Sequence, residues 1–260
     1  MLIYRILFFM ILANLKSLAQ SYISDNDWEY HLNLTDINHL AFFNNTIYCF
    51  GSLGLYSVEL SNNSINRNLD ALDVTDLSIS ATYSDSNYFV LGASNGNIEI
   101  LFSDQKTTLS LSDNKSHVKI NSIFLYKENL YVATSSGLFN ISLDQFFVKE
   151  IYKRFNEKDE QSVVTDITVF NNKIYIISSN SVYFFDLVNQ NPMDFNFWEE
   201  IKFNHDTPIG LFVSDNEIFF YSIHSIYDEN QQKIFSNSDI KIKKLKKSGE
   251  HIYMLYLNNS

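Results

Sequence analysis

Three polar residues stand where side-chain chemistry could converge. Thr75-Asp76 and Thr165-Asp166 occupy one repeated position in the chain, and an intervening copy carries Asn121-Ser122 there. Carboxylates and amides recurring at the inner ends of strands could ring a channel and bind a cation or a sugar by hydrogen bonds. The same side chains can instead satisfy turn backbone. Asp76, Asn121 and Asp166 are thus the candidate ligand-binding residues. Nothing else in the sequence has the spacing of a catalytic or metal centre. The six histidines, at positions 31, 39, 117, 205, 224 and 251, form no HxH or HExxH pair. The glycine-bearing turns at Gly51/Gly54 and Gly92/Gly96 open no helix, so they are not phosphate loops. No Ser-His-Asp order or nucleophile elbow is present. Cys49 is the single cysteine, so no intrachain disulfide forms, and its neighbours Tyr48 and Phe50 place it in a strand as an inert buried thiol. The expectation is a binding protein with no catalytic residues, no metal and no cofactor.

The elements that must hold these residues are repeats. Residues 129–143 read NLYVATSSGLFNISL, 46–60 TIYCFGSLGLYSVEL, 87–101 NYFVLGASNGNIEIL and 173–187 KIYIISSNSVYFFDL. Each is an aromatic strand, a small polar turn and a second strand. A further apolar run precedes each copy. The anchor aromatics Tyr48, Tyr88, Tyr131, Tyr175, Phe219 and Tyr253 recur every 34 to 44 residues. About four strands per period of this length predict an all-β fold, a β-propeller of four-stranded antiparallel blades. The inner strands are expected to start near Ile37, Leu77, Ile123 and Ile167. Gly137 should fall in a hairpin turn. Five blades and the start of a sixth fit within residues 20–260. The sixth begins at Ile240 with only two strands before Ser260, which predicts an incomplete ring, seven-bladed when whole, cut from a longer protein. Residues 28–32, led by Trp28, alternate like a strand and are spare, which makes them the candidate for closing the ring.

Residues 1–19 read as a signal peptide. Arg5 precedes an apolar stretch of about ten residues, and small residues lead to cleavage between Ala19 and Gln20. Lys16 interrupts the stretch too early for a membrane span. The mature chain is expected to be exported. With 7 Gly and 2 Pro, the turns must rely on Asn, Asp and Ser, and Asn accepts the left-handed backbone that tight hairpins require. The net charge of −11 argues against general nucleic-acid binding. The one basic stretch, KIKKLKK at 241–247, reads as a strand with outward lysines that discourage edge pairing.

The Trp28-led opening, SNGNIEIL at 94–101 and INSIFLYKENLYVATSSGLF at 120–139 resemble the PorZ N-terminal propellers of the Bacteroidetes type IX secretion system. The likeness covers residues 22–155. The blades are also similar to two-component regulator propellers, although Tyr48 and Tyr131 replace the strand-leading Trp of that template. What the resemblance implies is a non-catalytic accessory component of a cell-surface attachment complex. Its partners would be the sortase PorU with PorV and PorQ, its ligand anionic lipopolysaccharide, and its location the outer-membrane surface. Two alternatives stay open. One is the periplasmic sensor propeller of a hybrid two-component regulator, and the other a propeller enzyme acting on glycans.

Overall fold

Turn chemistry fixes where each strand stops. In the computed structural model, which describes residues 37–258 apart from 52–53, 63, 67–73, 75, 77, 104, 113–116, 159, 189–190, 204–205 and 249–250, four hairpins close on two residues that both have positive φ. They are Asn44-Asn45 (47° and 60°), Asn171-Asn172 (48° and 58°), Ser179-Asn180 (50° and 65°) and Asp215-Asn216 (51° and 61°). Positive φ at both central residues is the type I′ requirement, and its twist matches that of the flanking strands. Gly137 follows the Ser135-Ser136 turn at φ 125°, where a Cβ would press on the Tyr152 carbonyl.

These turns generate five four-stranded antiparallel blades and a two-stranded hairpin. Blade one holds β1 (Ile37–Phe43), β2 (Thr46–Gly51), β3 (Gly54–Glu59) and β4 (Ile65–Asn66). Blade two holds β5 (Ile79–Ser84), β6 (Tyr88–Ala93), β7 (Asn97–Phe102) and β8 (Gln105–Ser110). Blade three holds β9 (Ile120–Tyr126), β10 (Asn129–Thr134), β11 (Gly137–Ser142) and β12 (Phe147–Tyr152). Blade four holds β13 (Val164–Phe170), β14 (Lys173–Ser178), β15 (Ser181–Asp186) and β16 (Glu199–Ile201), with a 3-10 turn at Phe195–Phe197 before the last. Blade five holds β17 (Gly210–Ser214), β18 (Glu217–Tyr221), β19 (Ser225–Tyr227) and β20 (Lys233–Ser236). The hairpin is β21 (Ile240–Ser248) with β22 (His251–Asn258). The first strand of each blade is innermost, and β1, β5, β9, β13, β17 and β21 adjoin in chain order around the ring.

The core is divided among the spaces between blades. Tyr131 and Leu138 of blade three pack with Ile167, Ile174 and Phe185 of blade four. Ile177 and Val182 of blade four pack with Leu211, Phe220 and Tyr227 of blade five. Phe212 and Tyr221 of blade five meet Ile242 and Leu245 of the hairpin. Strands buried on both faces therefore read as apolar runs rather than as clean alternation.

The pairing register corrects one anchor. Tyr48, Tyr131 and Tyr175 lie opposite Ala41, Phe124 and Thr168. The matching place in blade two belongs to Val90, opposite Tyr83, and Tyr88 lies two residues earlier. All described residues fall in one compact unit, Asp36–Ser260. The signal-peptide residues, Ala19 and Gln20 included, and the strand proposed at 28–32 lie outside the described residues. Among the described residues, no helix is long and apolar enough to cross a membrane.

Candidate functional site

Five of the six inner strands carry a bulge near their first residues. Asn38, Ser80, Asn121, Thr165 and Lys243 are each skipped in the pairing with the second strand. A bulge leaves its residue free of the ladder and re-aims it. Two of these residues reach the next blade. The Ser80 hydroxyl donates to the Ile120 carbonyl (2.6 Å), and Asn121 Nδ2 donates to the Val164 carbonyl (2.7 Å).

The residue after the bulge forms a layer around the ring. It is His39 in blade one, Ala81 in two, Ser122 in three, Asp166 in four and Lys244 in the hairpin. Gly210 holds this place in blade five, which has no bulge. Asp166 is the hub of the layer. Its Oδ2 accepts from the Leu211 amide of blade five (2.8 Å), and its Oδ1 accepts from its neighbour Ile167 (3.0 Å). The Ser122 hydroxyl of blade three also donates to it, and the Lys244 charge of the hairpin acts on it. One carboxylate thus binds together four successive units of the ring.

Burial pushes the Asp166 pKa up, opposed by the Ser122 hydroxyl, by Lys244 and by the two amides. Burial also lowers the Lys244 ammonium, and the Asp166 charge opposes that shift. Both charged groups are enclosed by the surrounding blades. Tyr221 closes the site from above Gly210. Its pKa is raised by burial and by the Asp166 charge, and its oxygen accepts from the Leu245 amide. Gly210 has no side chain to keep Tyr221 away.

Of the three residues singled out from sequence, Asn121 and Asp166 belong to this inner ring and Asp76 does not. Asp76 precedes β5 and lies five residues ahead of the matching pair, which is Ser80-Ala81. Its Oδ1 accepts from the Ser78 amide (2.9 Å) and hydroxyl (2.6 Å), and its Oδ2 accepts from Asn95 Nδ2 (2.5 Å). Burial alone would raise its pKa, but the bonds from Ser78, Asn95 and Asn97 outweigh that and hold the carboxyl below its usual range. Sequence reasoning missed Lys244, Gly210 and Tyr221. The lysine stretch reads as uniformly outward, and Lys241 and Lys243 are indeed exposed. The bulge at Lys243 shifts the alternation, so Lys244 turns to the ring. A positively charged run interrupted by a bulge leaves no mark in a one-dimensional pattern.

Cys49 is buried and free, and burial pushes its thiol up to about 11. At pH 8 only about one molecule in a thousand would hold the thiolate. Iodoacetamide should therefore label the native protein orders of magnitude more slowly than the urea-unfolded chain, as read by intact mass. Equal rates would show that the thiol is accessible and not raised.

Residues 47–199 match the family model described as TSS9, PorZ, N-terminal beta-propeller domain. No curated protein sequence is significantly similar. Among solved structures, the WD40 domain of Neurospora crassa Pan2 superposes with a TM-score of 0.58 at 14% identity, covering 86% of this chain and 73% of that one. The extracellular domain of the putative one component system BT4673 from B. thetaiotaomicron gives 0.55 at 12% identity, covering 90% of this chain and 36% of that one. The computationally designed Ika8 protein gives 0.55 at 12% identity, covering 84% of this chain and 67% of that one. The chain thus spans about a third of the length of the BT4673 domain. Similarity at these identities establishes the propeller fold and no more.

Proposed function

Because the chain belongs to the family of PorZ N-terminal propeller domains of type IX secretion, we propose that it is a non-catalytic accessory and binding component of a cell-surface attachment complex. The match over residues 47–199 is the observation that carries this reading. The protein would be exported and act at the outer-membrane surface, beside the sortase PorU and the proteins PorV and PorQ. A surface polysaccharide, including the anionic lipopolysaccharide of that system, would be its ligand. We assign its contacts to Asp76, Asn121 and Asp166. Hydrogen bonds from amides and hydroxyls would dominate over ion pairs, since the chain carries a net charge of −11.

The test is titration calorimetry of the protein with surface polysaccharide from its source bacterium, beside co-purification with the attachment-complex proteins. Binding is expected to change less than about threefold between 50 and 300 mM salt, because few exposed ion pairs would be screened. Binding to neither glycan nor complex would remove the attachment reading. Cleavage of the glycan, abolished by Asp166→Asn without unfolding, would establish an enzyme instead.

A further inference from the structure

Blade four departs from its neighbours at one connection. Its third and fourth strands are joined by residues 187–198, whereas the corresponding joins in the other blades take two to five residues. The described part of this insertion is pinned down. Trp198 is buried, 4.7 Å from the Phe155 ring centre and 5.3 Å from that of Phe185, and its Nε1 donates to the Pro192 carbonyl (3.0 Å). Asn191 accepts from the Met193 amide (3.0 Å), and Asp194 accepts from the Asn196 amide (3.0 Å). The arginine of the adjoining strand end joins in, with the Arg154 guanidinium 4.5 Å from the Phe195 ring centre. Held this firmly, the insertion still leaves Met193 56% and Phe197 41% exposed. Packing of the fold does not call for large apolar side chains there.

A cleft of about 510 Å³ lies between this insertion and the end of β12. Ile151, Tyr152, Met193 and Phe195 supply its apolar walls, and Lys153 and Arg154 its cations, against the single carboxylate of Asp194 and the amide of Asn191. It is large enough for a bulky side chain and its neighbours. β12 leads directly into it. Among the described residues β12 pairs only with β11, so its other edge offers a row of backbone donors and acceptors, flanked by exposed Phe147 and Val148. Charge adds a direction. Residues 149–158 carry Lys149, Lys153, Arg154 and Lys158 against Glu150 and Glu157, in a chain that is otherwise strongly acidic.

We propose that β12 and the cleft form a docking surface for an extended peptide. The peptide adds as a strand along the free edge of β12, seats one bulky apolar side chain in the cleft, and places acidic residues against Lys153 and Arg154. Backbone pairing would provide affinity and the cleft selectivity, as in other strand-addition complexes. Met193 suits the wall because its flexible thioether adapts to different apolar shapes. The surface is on the outer rim and does not depend on the polysaccharide reading.

The test uses the full chain as bait for a phage-displayed library of random dodecamers. The most enriched peptide is then measured by fluorescence anisotropy. Expected are peptides with a Phe, Leu or Ile followed within a few residues by Asp or Glu. Arg154→Glu and Met193→Lys should each weaken binding at least tenfold. Met193→Lys should leave the melting temperature unchanged because its side chain is exposed, and Arg154→Glu should lower it by only a few degrees, the loss of its contact with Phe195. Exchanging the acidic residues of the peptide for lysines should recover binding to Arg154→Glu. The proposal is overturned if no peptide is enriched, or if enriched peptides bind both variants as they bind the parent. It is also overturned if dextran sulfate, and no peptide, binds in an Arg154-dependent way, since that would assign the surface to an anionic polymer.

Discussion

Gly210→Ala should be severely destabilising. A Cβ at this position would overlap Cζ, Oη and Cε1 of Tyr221. Relief by swinging a flexible side chain is closed off. Tyr221 is 3% exposed, packs with Phe212, Ile226, Ile242 and Leu245, and accepts the Leu245 amide. The ring cannot leave without breaking the contact between blade five and the hairpin. Overpacking on this scale costs about 3–5 kcal/mol, or roughly 10 °C or more of melting temperature for a chain of this size. Near-UV circular dichroism during thermal unfolding reads it directly. The second arm is the double variant with Tyr221→Leu, which should lose much less than the two single changes added together, because it removes the clash. Full additivity, or a shift under about 2 °C for Gly210→Ala, would show that Tyr221 is not the obstacle.

Asp166→Ala should come next. It leaves the Leu211 amide and the Ser122 hydroxyl without their shared acceptor, and the Lys244 ammonium without its opposite charge. Removing one member of an enclosed charge pair costs about 3–5 kcal/mol when the pair is dry. These two charges interact without ion-pair contact, so about 2–3 kcal/mol is the expectation. Asp166→Asn keeps an acceptor for Leu211 and should lose less. Lys244→Met leaves the carboxylate without its opposite charge but with its donors from Leu211, Ile167 and Ser122, and should cost less than Asp166→Ala. Chemical denaturation of the three variants checks the order. Lys244→Met as the most destabilised of the three would mean that Asp166 is not the hub. If Asp166→Ala melts like the parent while glycan binding is lost, the carboxylate serves the ligand and not the ring.

How far the sequence carries depends on which residues are asked. Asn44-Asn45 and Asn171-Asn172 announce their turns, because few residues other than glycine accept a left-handed backbone twice in succession. Repeat spacing places the inner strands to within a few residues of Ile37, Ile79, Ile120 and Val164. The inner ring is another matter. Tyr88 looks like the anchor of blade two, but a strand buried on both faces gives no alternation to tell it from Val90 two places on. The same blindness matched Asp76 with Asp166. The bulges at Ser80, Asn121 and Lys243 then displace every later side chain by one, and no residue type marks them. Asn121 and Asp166 were legible as special because polar groups seldom begin inner strands without a partner. That the partner would be the neighbouring blade was not legible.

The division of the core among the seams between blades bears on how such a chain can change over generations. A sheet here owns only half of each apolar layer it touches. Deleting or duplicating one blade therefore does not remove or add a self-contained block. It brings two faces together that never co-evolved, such as Leu138 of blade three against Leu211 of blade five if blade four were lost. Stability behaves as a sum over nearest-neighbour junctions. A new blade can join the ring only if both junctions it creates are sealed at once, whereas single residues within a junction, such as Val90 where blades one, three and four hold tyrosine and blade five phenylalanine, can drift one at a time.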